Sequence, residues 1–367
     1  MANSTLSNAK AAKKDEFYTM FYDIETEMEA YLDYNPNVFR GKTVLLPCDD
    51  PEWSNFTKYF AQNFEELGLK KLISTSYAIN SKVIKAGIQT SFLETTSPKF
   101  DKSKTNTHGK IFVLEKDTTG DGKINLEDLE WDYLEGDGDF RSEEVKKLRD
   151  EADIIVTNPP FSLFREFLAW IVEADKLFIN CVTYKEVFPL LRDNKVWMGC
   201  TIHGGDREFG VPDEYPLEAA GCRIDENGKK YIRVKGVRWY TNIDHGRRHN
   251  PLSLMSMADN IKYSKHKDIQ GKKYQHYDNY DAIEIPYTDA IPCDYENLMG
   301  VPVTFLDKYC PEQFDIIWQA CGNTRASAPK EILDEVGYTI HPEDRGGCGV
   351  VNNKRQYARI LIRKKHL

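Results

Sequence analysis

The chain has 367 residues, a formal net charge of −9, and 41% hydrophobic and 12% aromatic residues. This composition excludes a mostly disordered chain and predicts a globular protein with one large α/β domain and a smaller one. The apolar runs are too short to span a membrane, and residues 1–14 lack the apolar core of a signal peptide, so we expect a cytoplasmic protein. The eight cysteines form no Cys-x-x-Cys pair, which predicts reduced thiols and no zinc site.

The first part of the chain predicts a flexible tail, a helix and a buried strand. Residues 1–14 are small, polar and basic, as in a mobile tail. Phe17 to Thr19 lead into an acidic amphipathic helix over Tyr22 to Tyr34. Lys42 to Leu46 is an apolar run of the length expected for a buried strand.

The turn after this strand is acidic. Pro47-Cys48-Asp49-Asp50-Pro51 is followed by a helix from about Asn55 to Leu67, which together predict the first unit of a Rossmann-like sheet. The turn lacks the G-x-G-x-x-G pattern of dinucleotide sites. Its carboxylates instead favour a ligand with hydroxyls and an ammonium group, such as S-adenosylmethionine. The alternative is that Asp49 or Asp50 only caps the helix.

The next segment predicts a second strand and an insertion. Lys70 to Ala78 has the pattern of the strand, and Val83 to Thr96 with Lys110 to Leu114 predict an added ribbon. Residues 117–128 match an EF-hand calcium loop, except that Asp128 replaces the usual final Glu. We expect a simple turn and no bound metal there, with a calcium ion as the alternative.

A glycine-rich pentapeptide, Gly136 to Phe140, precedes a charged helix over Ser142 to Glu151. Asp139 is placed in sequence to accept a hydrogen bond from an adenine amino group, and Phe140 to stack on the adenine ring. The alternative is an ordinary loop.

The stretch Asp153 to Phe161 contains an apolar strand that ends in Asn158-Pro159-Pro160-Phe161. Open α/β sheets bind their ligands at such a strand end. The side-chain oxygen of Asn158 and the carbonyl of Pro159 can each accept one N–H of an exocyclic base amine, which localises the nitrogen lone pair for attack on a methyl sulfonium. The prolines fix the backbone, and Phe161 can stack on a base that has left the duplex. The alternative is an ordinary turn.

Further strands and a basic region follow. Apolar runs predict strands over Lys176 to Val182, Val196 to Ile202 and Gly236 to Ile243. Arg223 to Tyr280 contains thirteen Lys or Arg against six Asp or Glu, so its balance is +7 and the remainder of the chain carries −16. This segregation is typical of a phosphate-binding face, with a solvated basic surface as the alternative. The side chains expected to contact DNA are Arg247, Arg248, Lys262, Lys265, Lys272 and Lys273.

Three stretches, in this order, resemble the EcoRI-type adenine-specific DNA methyltransferases. They are Asp15-Glu16-Phe17-Tyr18-Thr19, then Pro47-Cys48-Asp49-Asp50-Pro51 with Ser54-Asn55-Phe56, and then Asn158-Pro159-Pro160-Phe161. The resemblance covers most of the catalytic half and, more loosely, the C-terminal third. It implies an α/β fold, namely a Rossmann-like S-adenosylmethionine-dependent methyltransferase sheet with a C-terminal target-recognition region.

The resemblance also implies residue roles. Asn158, Pro159, Pro160 and Phe161 would hold the flipped adenine. The cofactor would be bound by Phe17, Tyr18, Thr19, Pro47, Cys48, Asp49, Asp50, Asn55, Asp139 and Phe140. The sequence departs from the family pattern in two places. The usual acidic residue after the second strand is missing from Ser74 to Tyr77, and the chemistry does not require the 117–128 insertion.

Together these inferences predict a site-specific enzyme that methylates the N6 amine of adenine in duplex DNA, in restriction-modification or in phage and host defence. We expect a flexible tail at 1–14, a catalytic domain at 15–250 with an insertion at about 83–130, and a target-recognition region at 251–367. The expected partners are double-stranded DNA and a cognate restriction endonuclease that acts on the same site without a stable complex, with no membrane. The alternatives are methylation of cytosine N4, RNA or a protein amide, or a non-catalytic DNA-binding protein.

Overall fold

The computed structural model describes residues 18–50, 54–78, 97–159, 163–201, 206–211, 215, 217 and 221–365, with the backbone alone at 182–186 and 206. The chain divides into two compact units. Unit 1 comprises Met1–Val187 and Gly199–His245, and unit 2 comprises Phe188–Met198 and Gly246–Leu367. All eight cysteines are free thiols. No helix in the described ranges is long and apolar enough to cross a membrane.

The described residues alternate between helices and strands in unit 1 and are mainly strands in unit 2. The helices are α1 (Phe21–Tyr34), α2 (Asn55–Gln62), α3 (Phe64–Leu67), α4 (Glu143–Glu151), α5 (Phe164–Glu173), α6 (Tyr184–Arg192), α7 (Met257–Tyr263) and α8 (Lys330–Glu335). The strands are β1 (Tyr18–Thr19), β2 (Thr43–Leu46), β3 (Lys71–Ser76), β4 (Lys110–Leu114), β5 (Glu130–Tyr133), β6 (Ile154–Thr157), β7 (Leu177–Thr183), β8 (Trp197–Met198), β9 (Asp206–Val211), β10 (Arg223–Ile224), β11 (Lys230–Lys235), β12 (Val237–Thr241), β13 (Gln275–His276), β14 (Ala282–Glu284), β15 (Leu298–Pro302), β16 (Phe314–Ala320), β17 (Val350–Val351), β18 (Lys354–Arg355) and β19 (Arg359–Lys364).

Unit 1 is built on a mixed sheet with the strand order β5-β4-β3-β2-β6-β7-β12. The central strands β3, β2, β6 and β7 are parallel, whereas β4, β5 and β12 run antiparallel to their neighbours. The C-terminal ends of the four parallel strands therefore lie along one edge, which we call the carboxyl edge. The fold is mixed α/β, with helices between the parallel strands.

Both faces of the central strands are buried. Met28 of α1 and Phe60 of α2 belong to the same core cluster as Val44 of β2. Leu45 and Ile155 alternate with the residues of that cluster, and both are also 0% exposed. Because neither face of these strands meets water, they occur in the sequence as apolar runs without polar alternation.

A smaller antiparallel sheet of unit 1 holds the segment that precedes α1. Its strand order is β1-β9-β11-β10, and Thr19 of β1 pairs with Phe209 of β9. This pairing fixes the backbone at Tyr18 and Thr19, two of the residues predicted to bind the cofactor.

Of the strand predicted over Val196 to Ile202, residues 196–201 are described, and among them only the two residues of β8 form a strand; a buried carboxylate explains this. Glu27 of α1 is 0% exposed and accepts hydrogen bonds from the backbone N–H groups of Cys200, at 2.7 Å, and Thr201, at 2.8 Å. These two donors are thereby withdrawn from strand pairing. Burial raises the pKa of Glu27, and the hydroxyl and N–H donors oppose this rise.

Most of the other predicted elements form within one or two residues of their expected ends. The segment Lys110 to Leu114, predicted as one strand of an added ribbon, joins the main sheet as β4, antiparallel to β3. The helix predicted from Asn55 to Leu67 is divided at Asn63 into α2 and α3. The strand predicted over Val83 to Thr96 lies outside the described residues.

Unit 2 contains a sheet with the strand order β13-β14-β15-β19-β16 and a separate hairpin, β17–β18. In the core, Arg359 Nε donates to Glu284 Oε1 at 2.9 Å, and the Tyr277 hydroxyl donates to Oε2 of the same carboxylate. Glu284 and Arg359 are nearly fully buried, and such charges are tolerated when they are paired. The segment Phe188–Met198 belongs to this unit, which the sequence patterns did not predict.

Candidate active site

The carboxyl edge brings together turns that lie far apart in the sequence. Residues 47–50 follow β2, residues 77–78 follow β3, and Asn158 follows β6, and these strands are parallel neighbours. Asn158 is half-buried and Pro159 is buried. Pro160 and Phe161 lie outside the described residues. The structure thus joins the acidic turn and the start of the Asn-Pro-Pro-Phe sequence, as their positions after parallel strands predict.

Asp49 is an internal residue of this edge. It is 7% exposed, and its carboxylate accepts a hydrogen bond from the Ser54 hydroxyl at 2.6 Å. Its second oxygen lies 2.5 Å from the hydroxyl of Thr157, the last residue of β6. The Asp49 carbonyl accepts from the hydroxyls of Thr57, at 3.1 Å, and Ser74. Asp49 therefore connects the end of β2 to α2, β3 and β6.

The contacts of Thr157 favour the protonated form of the Asp49 carboxyl. The Thr157 hydroxyl lies 2.9 Å from Pro47 O and 2.5 Å from Asp49 Oδ2, but it carries only one proton. Because Pro47 O can only accept, both contacts are satisfied when Asp49 donates its own proton to Thr157. Burial raises the pKa of Asp49 to about 7; the hydroxyls of Ser54 and Thr157 oppose the rise, and the charge of Asp50 adds to it.

Asp50 is the more accessible of the two adjacent aspartates. It is half-buried, and its carbonyl accepts from Ser54 N at 2.7 Å. The N-cap of α2 is Ser54, whose side chain accepts from Phe56 N and Thr57 N, so neither aspartate caps the helix directly. Cys48 adopts a φ of 70°, a conformation that non-glycine residues rarely take and that is often found at functional sites.

The residues around β1 approach the same turn through Asn55. Asn55 Nδ2 donates to Thr19 O at 2.8 Å. Thr19 is buried, and its hydroxyl has no hydrogen-bond partner among the described residues. Tyr18 is half-buried, and Phe17 is outside the described residues. A buried hydroxyl without a partner is costly, which favours a polar ligand group close to Thr19.

The loop Gly136 to Phe140 lies against the end of β3. Ala78 N donates to Asp137 O at 2.8 Å. Gly138 has a φ of 83°, and a Cβ at this position would lie 2.4 Å from Ser76 O. Only glycine allows this approach of the two backbones. The loop therefore places Asp137, which is half-buried, at the carboxyl edge.

Asp137 is a candidate that sequence reasoning missed. The side chains at the end of β3 are hydroxyls with internal partners, since Ser74 bonds to Asp49 O and the Thr75 hydroxyl accepts from Cys48 N at 3.3 Å. The neighbouring loop thus places a half-buried carboxylate, that of Asp137, beside a strand end that has no acidic residue of its own. The signal in the sequence was the pair of glycines that flank Asp137, because such glycines mark a close backbone approach.

The side chains of Asp139 and Phe140 contact other residues of the protein. Both oxygens of Asp139 accept from the guanidinium of Arg141, at 2.9 and 2.6 Å, and this pairing lowers the pKa of Asp139. Phe140 is 3% exposed and packs edge-to-face against Phe167 and Trp170, with ring centroids 5.1 and 5.7 Å away. This packing does not favour the predicted stacking of Phe140 on an adenine ring, which stays a prediction.

The predicted DNA-binding residues of unit 2 fall into two groups. Arg247 and Arg248 are half-buried, and their side chains contact other residues of unit 2. Arg247 Nη2 donates to Asp307 O at 2.5 Å, and the Arg248 guanidinium lies 3.5 Å from the centre of the Trp197 ring. The lysines are exposed, and two of them face acidic side chains. Lys265 lies 2.8 Å from Asp289 and Lys272 lies 4.0 Å from Asp268, whereas Lys262 and Lys273 have no such neighbour among the described residues.

The loop at 117–128 uses its carboxylates for its own turn. Asp117 accepts from Gly122 N at 2.8 Å, and Asp128 accepts from the backbone N–H groups of Thr118, Thr119 and Asn125 at 2.7 to 3.0 Å. Across the described ranges, no group of three His, Cys, Asp or Glu residues is arranged to hold a metal ion. These hydrogen bonds account for the closed turn that the loop forms.

The chain is similar to known proteins over nearly its whole length. The model of the family described as "Adenine-specific methyltransferase EcoRI" matches residues 5–365. The Type II methyltransferase M.EcoRI of Escherichia coli is 40% identical over 370 residues, which cover 100% of this chain and 98% of the relative. M.MgeORF184P of Mycoplasma genitalium is 32% identical, covering 98% and 99%, and M.MpnI of Mycoplasma pneumoniae is 30% identical, covering 98% of both chains. No solved structure matches the chain significantly.

These matches extend far beyond the short stretches that first indicated the resemblance, and they include both units of the chain. They confirm the predicted family and, because the family is adenine-specific, they favour adenine over cytosine or a protein amide as the methyl acceptor. The chain belongs to the EcoRI family of adenine-specific DNA methyltransferases.

Proposed function

We propose that this chain transfers a methyl group from S-adenosylmethionine to the N6 amine of an adenine that has been flipped out of duplex DNA at a short specific sequence. The observation that carries the proposal is the adjacency of Asn158 and Pro159 to the acidic turn at residues 47–50, on one edge of a sheet whose central strands are parallel. A Rossmann-like sheet binds its ligands at this edge.

The carboxyl edge fits the cofactor because S-adenosylmethionine carries hydroxyl and ammonium donors that need acceptors. Asp50 and Asp137 are half-buried carboxylates, and the Thr19 hydroxyl lacks a hydrogen-bond partner among the described residues. We assign Asp137 to the ribose hydroxyls and Asp50 to the ammonium group, with Tyr18, Thr19 and Asn55 alongside. When bound, the cofactor supplies the electrophilic methyl group.

Asn158 and Pro159 prepare the adenine amine for attack. The lone pair of this nitrogen is delocalised into the ring, so the amine is a weak nucleophile. The Asn158 side-chain oxygen and the Pro159 carbonyl each accept one N–H, which favours a more tetrahedral nitrogen. The proton lost after transfer needs no strong base, because the methylated amine is acidic while it is positively charged. Phe161, two residues after Pro159, stacks on the flipped ring.

Thr157 keeps Asn158 in register with the cofactor turn. Its hydroxyl contacts Pro47 O and Asp49, both in the turn after β2. Because burial raises the pKa of Asp49 and its carboxyl is engaged by Ser54 and Thr157, we assign the contacts with a cationic cofactor to the more accessible Asp50 and Asp137. Asp49 therefore acts as a structural link between the two turns and does not serve as a direct ligand.

Unit 2 supplies target recognition, and the biological setting is restriction-modification. The region 251–367 belongs to this unit, together with exposed basic residues such as Lys262 and Lys273. A cognate restriction endonuclease acts on the same DNA sequence without forming a stable complex with this chain. The relatives named as Type II methyltransferases support this setting.

Expression in a host that lacks adenine methylation, followed by single-molecule sequencing of its DNA, tests the proposal. We expect N6-methyladenine at one recurring motif. In purified protein, Asn158→Ala should lower the rate of methyl transfer to that motif by about 10²- to 10³-fold, as for other lost transition-state hydrogen bonds. Binding of S-adenosylmethionine should be retained.

Asn158→Asp is the matched control, because the carboxylate keeps an acceptor oxygen in the same place. It should retain more activity than Asn158→Ala. Host DNA without methyladenine, or an Asn158→Ala variant as active as the wild type, would refute the proposed reaction or the assignment of Asn158.

A further inference from the structure

The hairpin β17–β18 of unit 2 presents a compact polar turn on the protein surface. Its strands pair Val350 with Arg355 and Val351 with Lys354, leaving a two-residue turn, Asn352-Asn353. The two asparagines have φ values of 49° and 57°, as in a type I′ turn. The two valines are buried, whereas residues 352–355 are all exposed.

Two residues of unit 2, Asn279 and Asp278, form hydrogen bonds with the backbone of this hairpin. Asn279, only 1% exposed, accepts from Val350 N at 2.9 Å and donates to Cys348 O at 2.9 Å. Asp278 N donates to Val350 O, and its carboxylate accepts from Asn353 N, both at 2.7 Å. Because these backbone groups already have partners, the side chains of residues 352–355 are what the turn offers to another molecule.

The basic side chains of the hairpin are not neutralised. No acidic side chain of the described residues lies within ion-pair distance of Lys354 or Arg355. Several other exposed bases of unit 2 do have acidic partners, as in Lys330–Asp334 at 2.9 Å, Arg363–Glu335 at 3.1 Å and Lys365–Asp315 at 3.1 Å. Like Lys262 and Lys273, which also lack an acidic neighbour among the described residues, Lys354 and Arg355 are exposed cations available to an anionic partner.

A second basic stretch adjoins the hairpin. Asn352 Nδ2 donates to Gln275 Oε1 at 3.2 Å, which links the turn to β13 and to the exposed Lys272 and Lys273 that precede it. Tyr357, just beyond β18, is 87% exposed. We call residues 352–355, 357 and 272–276 the hairpin patch. It combines cations, amides and an exposed aromatic ring, the side chains that contact phosphates and base edges.

We propose that the hairpin patch enters a groove of the target DNA, where Lys354 and Arg355 contact phosphates and Asn352 contacts a base edge. A two-stranded ribbon fits the major groove, and asparagine can form a bidentate pair with adenine. The exposed cations of the patch favour a polyanion over a protein partner. This inference rests on the proposed function for its choice of duplex DNA, and none of these hairpin residues was among the DNA contacts predicted from the sequence.

The phosphate contacts are tested in the full-length protein with the double variant Lys354→Gln/Arg355→Gln. Binding to a short duplex is measured by fluorescence anisotropy over a range of salt concentrations. We expect weaker binding to duplexes of any sequence, and a slope of log K against log[salt] that is smaller by about 1.8, or roughly 0.9 for each lost contact. The control is Lys330→Gln, an exposed lysine of the same unit that is paired with Asp334, which should leave the slope unchanged.

The base contact is tested with Asn352→Gly, because glycine adopts the same positive φ and removes only the side chain. The probes are a duplex carrying the motif mapped by methylation and the same duplex with the motif scrambled. We expect a roughly 5- to 100-fold loss of affinity for the motif and little change for the scrambled duplex. A uniform loss on both duplexes would overturn the base contact and leave a phosphate-side role.

The outcomes separate this inference from the proposed reaction. Unchanged affinity and salt slope in the double variant, with normal methylation, would overturn the hairpin inference alone. A wild-type chain that binds duplex with the expected slope but never methylates it would overturn the reaction and leave the hairpin inference standing. Tighter binding to single-stranded RNA than to duplex DNA would overturn both. Thermal unfolding midpoints equal to that of the wild type confirm that the exposed substitutions leave the fold intact.

Discussion

The carboxyl edge of unit 1 and the hairpin patch of unit 2 are both rich in polar side chains, but they use them in opposite ways. At the carboxyl edge, Asp49 and Thr157 are buried and satisfied by one another and by Pro47 O. In the hairpin, Lys354 and Arg355 are exposed and lack acidic partners among the described residues. Internal bonds fix positions to within fractions of an ångström, whereas exposed side chains keep the freedom to fit a large partner. The comparison predicts that substitutions in the two regions have effects of different size and kind.

The largest expected effect is the contribution of Asp49 to the pH dependence of the free energy of unfolding. Its pKa is about 7 in the folded protein and close to 3.8 when exposed. Below pH 3.8 both states hold the proton and the stabilisation is fully present. As pH rises towards 7 the unfolded state ionises first, so the free energy of unfolding falls, on the order of 4 kcal/mol over this window.

The measurement is urea unfolding of the wild type and of Asp49→Asn between pH 4 and pH 8. Taking the difference between the two proteins removes the titrations that they share. We expect the wild type to lose its advantage over the variant as pH rises and the difference to level off above pH 7. A difference that is the same at every pH would mean that Asp49 is ionised in the folded state, contrary to its contacts with Thr157.

A smaller effect on stability, but a direct one on activity, is expected for Thr157→Val. Valine has nearly the same shape but no hydroxyl, so Pro47 O and Asp49 each lose a buried partner, at a cost of about 1–3 kcal/mol. The turn that carries Asn158 loses its link to the cofactor turn, and we expect kcat to fall by roughly tenfold or more, with less change in KM for the cofactor.

Thr157→Ser is the matched control for this experiment, since it restores the hydroxyl while removing only a methyl group. It should recover most of kcat. Equal losses of kcat in the valine and serine variants would show that packing of the methyl group matters and that the hydroxyl does not.

The smallest effect is expected in the turn of the hairpin. Asn353→Gly should change the free energy of unfolding by no more than about 0.5 kcal/mol, because glycine accepts the observed φ of 57° without strain. Asn353→Val should be more destabilising by about 1 kcal/mol or more, since a β-branched residue is strained at positive φ. Both follow from chemical denaturation. Identical stability of the two variants would show that the turn relaxes to another conformation.

The sequence predicted the order of turns at the carboxyl edge because buried parallel strands leave continuous apolar runs, and the residue after each run must lie at the strand end. The Lys42 to Leu46 and Ile154 to Val156 runs illustrate this, and both became central strands. The same reasoning could not separate Asp49 from Asp50. Their difference depends on Thr157, which is more than a hundred residues away and becomes a neighbour only in the folded sheet.

Two other features depended on tertiary contacts in the same way. Phe140 looked available for stacking, but α5 supplies Phe167 and Trp170, which enclose its ring. Arg247 and Arg248 looked like phosphate contacts from charge alone, yet a backbone carbonyl and the Trp197 ring engage them within unit 2. The sequence shows the chemical type of each of these side chains, but their contacts depend on segments that are distant in the sequence.

The two-segment composition of unit 2 determines how the protein could be dissected or recombined. The segment Phe188–Met198 contributes Phe188, whose ring meets Trp318 edge-to-face at 6.0 Å, and Trp197, which lies under Arg248. A fragment that begins at Gly246 would lack both aromatic rings and would expose the surfaces that they cover. Exchange of recognition modules between relatives therefore requires two grafted segments, with junctions near residues 187, 199 and 246. A single crossover would produce an incomplete core.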